Sequence, residues 1–151
     1  MLRIGFLPSD FNPMLLMLGE QEDLRALGGV LRQFARDGKT VRLHELTFCA
    51  AGRTRLVLTG DAGPAGLHAT ANAAGAAGLH ATANAAGADA AGAFVWRLDA
   101  PRAAEFAELV DGLAAASRKA GSEMLECGIE EAAEIPVKVS RGEYTEAFLL
   151  C

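Results

Sequence analysis

The chain of 151 residues carries 14 Lys and Arg against 19 Asp and Glu, for a formal net charge of −5, and is 51% hydrophobic. A domain of this length removes about 70% of its unfolded surface from water, so it needs no disulfide or metal staple. The acidic balance without a Lys/Arg cluster argues against nucleic acid, and the lack of a run of about 18 large apolar residues argues against a spanning helix.

Leu2 to Leu7 alternates large apolar residues with Arg3 and Gly5, the period of a half-buried strand, and Pro8 ends it. Ser9, Asp10, Asn12 and Pro13 then form a polar loop that interrupts any secretory apolar run, so a cytoplasmic location is expected. Met14 to Leu18 is short and continuously apolar, which suits a second buried strand. From Glu20 onward Leu24, Leu27, Leu31 and Phe34 recur at helical spacing, with acids at the start, Arg32 and Arg36 towards the end, and Asp37-Gly38 as the stop. Gly28 and Gly29 cost such a helix about 1 kcal/mol each relative to alanine, unless a neighbouring element packs closely there. Segments 40–48 and 54–59 read as a β-hairpin. Val41 and Leu43 share one parity and Leu46 and Phe48 the other, so a bulge or bend is expected near His44-Glu45.

Residues 60–92 differ from their surroundings, because segment 65–76 recurs without change as 77–88. Two copies are too few for a solenoid. With few large side chains to offset the entropy of ordering, the stretch reads as a low-complexity surface insertion. Phe94 to Leu98 then alternates as a strand, and Asp99 caps a helix opened by Ala100-Pro101. Phe106, Leu109, Val110 and Leu113 form its apolar face, and Gly121 is its expected terminator. Segments 124–127 and 135–139 read as strands, with Pro136 at an edge or strand start. Ser140-Arg141-Gly142-Glu143 has capping-box spacing and predicts a short helix over 144–150.

Both halves therefore run strand, helix, strand, strand. The expected fold is one α+β domain over 1–151: a mainly antiparallel sheet made of two βαββ halves, two main helices packed on one face, and the Ala/Gly-rich insertion 60–92 between the halves. A strand order without a pseudo-twofold relation between the halves contradicts it.

Candidate chemistry is sparse. His68 and His80 occupy equivalent repeat positions, but two imidazoles fall short of the three or four protein ligands a zinc ion takes. Gly60-Asp61-Ala62-Gly63-Pro64-Ala65-Gly66 lacks the Lys-Ser/Thr ending of a phosphate loop and reads as a turn. Cys49, Cys127 and Cys151 are odd in number and lack a CxxC pair, so reduced thiols are expected. Cys127, beside Glu126 and with His44 elsewhere, has no motif that sets a base beside it. Glu123, Glu126, Glu130 and Glu134 would line an acidic stripe if 121–134 were helical. The remaining binding candidates, Asp10, Asn12, Arg141, Glu143 and Tyr144, lie in expected turns, where scaffolds place recognition groups.

This pattern predicts a noncatalytic binding or regulatory module, such as an inhibitor or immunity-type partner of a more basic protein, acting through an acidic face and as a homo-oligomer or within a complex. The alternative is a small enzyme or small-ligand-binding protein whose site is assembled only by the tertiary fold. No catalytic residue, metal, cofactor, nucleic acid or membrane is expected.

Overall fold

Alternation of side chains about an extended backbone builds the first strand. In β1 (Leu2–Leu7) the side chains of Leu2, Ile4 and Phe6 are buried while those between them are partly exposed. A computed structural model describes residues 1–8, 13–70, 92–128 and 134–142. β2 (Met14–Leu18) forms from the continuous apolar run and pairs antiparallel with β1. The helix expected from Glu20 is α1 (Gln21–Asp37), which buries Leu24, Leu27, Leu31 and Phe34 and ends where Gly38 takes φ 65, a left-handed conformation that favours glycine.

Segment 40–48 is not one strand. β3 (Val41–Arg42) is followed by a 3-10 turn, Leu43–Glu45, at the expected bend, and β4 (Cys49–Ala50) belongs to the other sheet. The change of parity marks the chain's crossing between sheets, which leaves only two residues of β3 to pair with β5 (Thr54–Thr59). The reading of 60–92 as an insertion fails at its start. Gly66–Ala69 is β6, an edge strand whose Leu67 is fully buried, and Gly92 already opens β7 (Gly92–Arg97). One large side chain is enough to anchor β6, because β7 supplies its hydrogen bonds.

Asp99 caps α2 (Ala100–Leu113), accepting the Arg102 N–H at 2.8 Å. The helix stops well before Gly121, which instead begins β8 (Gly121–Met124) at a φ of 157. Arg141 serves the open end: its guanidinium donates to the carbonyl of Leu113, the last helical residue, at 2.8 Å and to that of Ala115, just beyond it, at 3.2 Å. β8 thus precedes the expected 124–127, and Leu125 continues its pairing by donating to the Val137 carbonyl. β9 (Val137–Arg141) begins directly after Pro136, a position where the missing N–H costs no ladder bond. Ser140 and Arg141 therefore lie in a strand, and the helix expected over 144–150 falls outside the described residues.

The strands form two mixed sheets rather than one mainly antiparallel sheet. The first has order β4-β1-β2-β9-β8 and the second β3-β5-β7-β6. The α+β class and its two main helices stand, and the two halves correspond with β2 and β6 included and the two-residue β4 left without a counterpart. β1, β2, α1, β3, β5 match β6, β7, α2, β8, β9, and exchanging them converts β1-β2-β9-β8 into β6-β7-β5-β3. Both central pairs, β2 with β9 and β5 with β7, are parallel and join one half to the other.

A single core lies between the sheets and the helices. Phe6 and Phe94 bring the sheets together with ring centroids 4.9 Å apart, and Trp96 stacks on Phe106 of α2 at 5.9 Å. The helices pack on each other where Gly28 of α1 meets Asp111 of α2, whose carboxylate accepts from Arg32. Gly28 is thus the close approach that offsets its poor helix propensity, whereas nothing lies within 4 Å of a Cβ at Gly29. Gly29→Ala is expected to stabilise the fold by about 1 kcal/mol in urea unfolding. Gly28→Ala should give none of that gain, because the added methyl drives Asp111 off Arg32. Equal gains at the two positions would contradict this packing.

Candidate interaction surface

Strand alternation that buries Leu56, Leu58, Phe94, Trp96 and Leu67 sends the intervening residues to the opposite face of the second sheet. The register aligns them: Arg42 opposite Val57, Arg55 opposite Ala93, Val57 opposite Val95, and Val95 opposite His68. Arg97 shares this face on β7, opposite Thr59 and Gly66. Both helices lie against the inward side, so no described helix covers this outer face. It presents arginines over a floor of Val57, Ala93 and Val95.

The arginines are held differently. Arg55 is exposed and donates to the Gly52 carbonyl at 3.2 Å. Arg42 reaches Glu45 at 3.3 Å, with both side chains more than half exposed, a pair worth about 0–1 kcal/mol. The half-buried Arg97 has its Nε shielded from solvent without a hydrogen-bond partner, with the Gly63 backbone packed against it. His68 is fixed by Nε2 at 2.9 Å from the Ala65 carbonyl. These arginines escaped the sequence reading because Arg55 and Arg97 come to share one face only through the β5–β7 pairing. Their outward parity within TRLVLT and GAFVWR was the available signal.

The corresponding face of the first sheet differs. Leu16 and Leu18 are 1% and 7% exposed there, so it is filled rather than open. Charge is also unevenly distributed. Every Lys and Arg lies among the described residues, whereas Asp10, Asp89, Glu130, Glu131, Glu143 and Glu146 do not, so the described body is close to neutral.

The residues singled out from sequence do not converge. Asp10, Asn12, Glu143 and Tyr144 lie outside the described residues. Glu126 is exposed just beyond Leu125, near the first residue of β9, whereas Arg141 is its last. The acidic stripe is absent among the described residues because 121–124 is extended: Glu123 turns to Arg118 at 3.8 Å. Glu134 accepts the Cys127 and Gly128 N–H groups at 2.7 and 3.0 Å. The glycine-rich run 60–66 leads into a strand, not the helix start a phosphate loop requires. His80 lies outside the described residues, and no three His, Cys, Asp or Glu among those described converge as metal ligands. Two clefts, of about 180 Å³ beside Met1 and Glu20 and about 170 Å³ beside Asp61 and Arg97, are below the ~300–1,000 Å³ usual for ligand pockets. No described helix is long and apolar enough to cross a membrane.

The two described thiols, Cys49 and Cys127, lack activation. Burial pushes Cys49 and Cys127 up from 9.0 to about 11, aided by Asp23 for the first and Glu134 for the second. His44 is committed to Leu56, whose N–H its Nδ1 accepts at 3.0 Å. The unfolded chain releases these protons near 9.0 and the folded chain only near 11, so stability is full below pH 9 and falls as pH rises towards 11. Melting scans from pH 8 to 10.5 should show this decline, and Cys49→Ala with Cys127→Ala should flatten it. An unchanged slope in the double variant would refute the assignment. No family model, curated protein or solved structure matches the chain.

Proposed function

We propose that the protein is a noncatalytic binding module that engages an acidic protein surface through the outer face of the second sheet. The supporting observation is that Arg42, Arg55, Arg97 and His68 share one face of a hydrogen-bonded scaffold, spaced around Val57, Ala93 and Val95. Guanidinium groups bind carboxylates in bidentate fashion, and the sheet fixes the backbone positions from which they project. The small aliphatic floor supplies apolar contact between the charges.

The partner's polarity is opposite to that expected from the net charge. Net charge governs long-range encounter, while the face that touches sets complementarity, and here that face is cationic. Among the described residues this face carries no Phe, Tyr or Trp on which bases could stack, which favours protein over single-stranded nucleic acid.

A Glu-rich peptide titrated into isotopically labelled protein tests this reading by NMR. Shifts should centre on Arg55, Val57, Val95 and Arg97, and Arg55→Glu with Arg97→Glu should weaken binding at least about tenfold, or ~1.4 kcal/mol. Arg25→Glu, an exposed charge on α1, should leave it unchanged. Perturbation centred on the helices, or tighter binding of an oligothymidine than of the peptide, would defeat the proposal.

A further inference from the structure

We propose that the cleft of about 170 Å³ between segment 60–65 and Arg97–Asp99 binds a small free α-amino acid, its carboxylate on Arg97 and its ammonium group on Asp61. The ligand differs from the acidic protein surface proposed above, and the two sites share only Arg97.

The cleft forms where the parallel pair of β5 and β7 runs out. The Leu98 N–H donates to the Thr59 carbonyl at 3.1 Å, and beyond that bond the chain turns away on both sides, into α2 at Asp99 and into the glycine-rich turn at Gly60. Thr59, 3% exposed, holds the start of that turn by accepting the Asp61 N–H on Oγ1 at 3.2 Å. Space outside the carboxyl ends of parallel strands is where α/β sheets place ligands. The pseudo-equivalent pair of β2 and β9 ends in the same way. There the Gly19 N–H donates to the Ser140 carbonyl at 3.2 Å, Glu20 caps α1, and the cleft of about 180 Å³ opens beside Arg3. The connectivity thus builds the cleft twice, and side chains decide what enters each copy.

Beside Arg97, two opposite charges face the cleft and neither is spent. Among the described residues the Arg97 guanidinium and the exposed Asp61 carboxylate pair neither with each other nor with another group. Asp99 also lines the cleft, but its carboxylate is engaged at the start of α2, where it accepts the Arg102 N–H at 2.8 Å. Arg3, in the other cleft, has a partner of its own. Gly63 sets the aim of Arg97: at φ 150 it packs so closely that a Cβ would stand 2.5 Å from Nε, which is shielded from solvent. That leaves the two terminal nitrogens, a fork that matches a carboxylate. A lone anion would meet Asp61 and Asp99 and a lone cation would meet Arg97, so the matched ligand carries both charges. Size selects within that class. The volume is too small for a drug-sized ligand and equals that of about six water molecules at ~30 Å³ each, while Gly60, Gly63 and Ala65 offer no large apolar contact, which suits glycine, alanine or serine.

Titration of isotopically labelled protein with L-alanine, followed by NMR, tests the site. Amide signals of Gly60, Asp61, Gly63 and Arg97 should shift and saturate with a Kd of about 1–10 mM. Propionate and ethylamine, which each lack one of the two charges, should bind at least about tenfold more weakly. Asp61→Asn and Arg97→Gln should each weaken alanine at least about tenfold. Asp61 is exposed, so Asp61→Asn keeps the test decisive if Arg97→Gln does not fold. The same Asp61→Asn variant should bind the Glu-rich peptide no more weakly than the parent chain, which separates failure here from failure of the acidic-surface reading. Shifts centred on Gly19, Glu20 and Gly142, propionate binding as tightly as alanine, or shifts that do not saturate would overturn the proposal.

Discussion

Two parallel strand pairs, β2 with β9 and β5 with β7, are the constraint on which the architecture depends. Each joins a hairpin of one half to a strand pair of the other, so neither half owns a sheet. Phe6 and Phe94, in contact across the sheets, come from different halves, as do Gly28 and Asp111 across the helices. The hydrophobic interior is therefore common property, and the halves gain their burial together or not at all.

That sharing explains how the surfaces are assigned. Both helices occupy the inward side, where Leu24, Leu27, Leu31 and Phe34 meet Ala103, Phe106, Val110 and Leu113. The outward face of the second sheet is left without a described cover, and its parity carries arginine and small aliphatic residues in place of leucine. Pseudo-equivalent positions on the first sheet carry Leu16 and Leu18. The symmetry of connectivity is thus broken in the chemistry of the outward faces among the described residues.

Local signals were legible wherever the chain's own spacing decides the outcome. The stripe of α1 and its Gly38 stop, the Asp99 cap of α2, and the parity break at His44 all involve residues a few positions apart. What escaped depends on partners distant in sequence. Gly66–Ala69 has one large side chain and becomes a strand because β7 offers an edge. The open end of α2 at Leu113 is met by Arg141, far downstream, which donates to its carbonyl. Glu134 serves the backbone of Cys127 and Gly128 rather than an acidic stripe because β8 is extended. The arginine face needed the register of three strands, which no single segment encodes.

The β2–β9 pairing also orders events during synthesis. β1 and β2 leave the ribosome early as a bare hairpin, and such hairpins are at best marginal in water. Their permanent neighbour is made only when residues 137–141 emerge, after the second sheet and both helices. Until then the buried edge of β2 is exposed along its backbone, a natural target for a chaperone and a hazard for association between nascent chains. Cells that slow translation just before β9 should accumulate that open form.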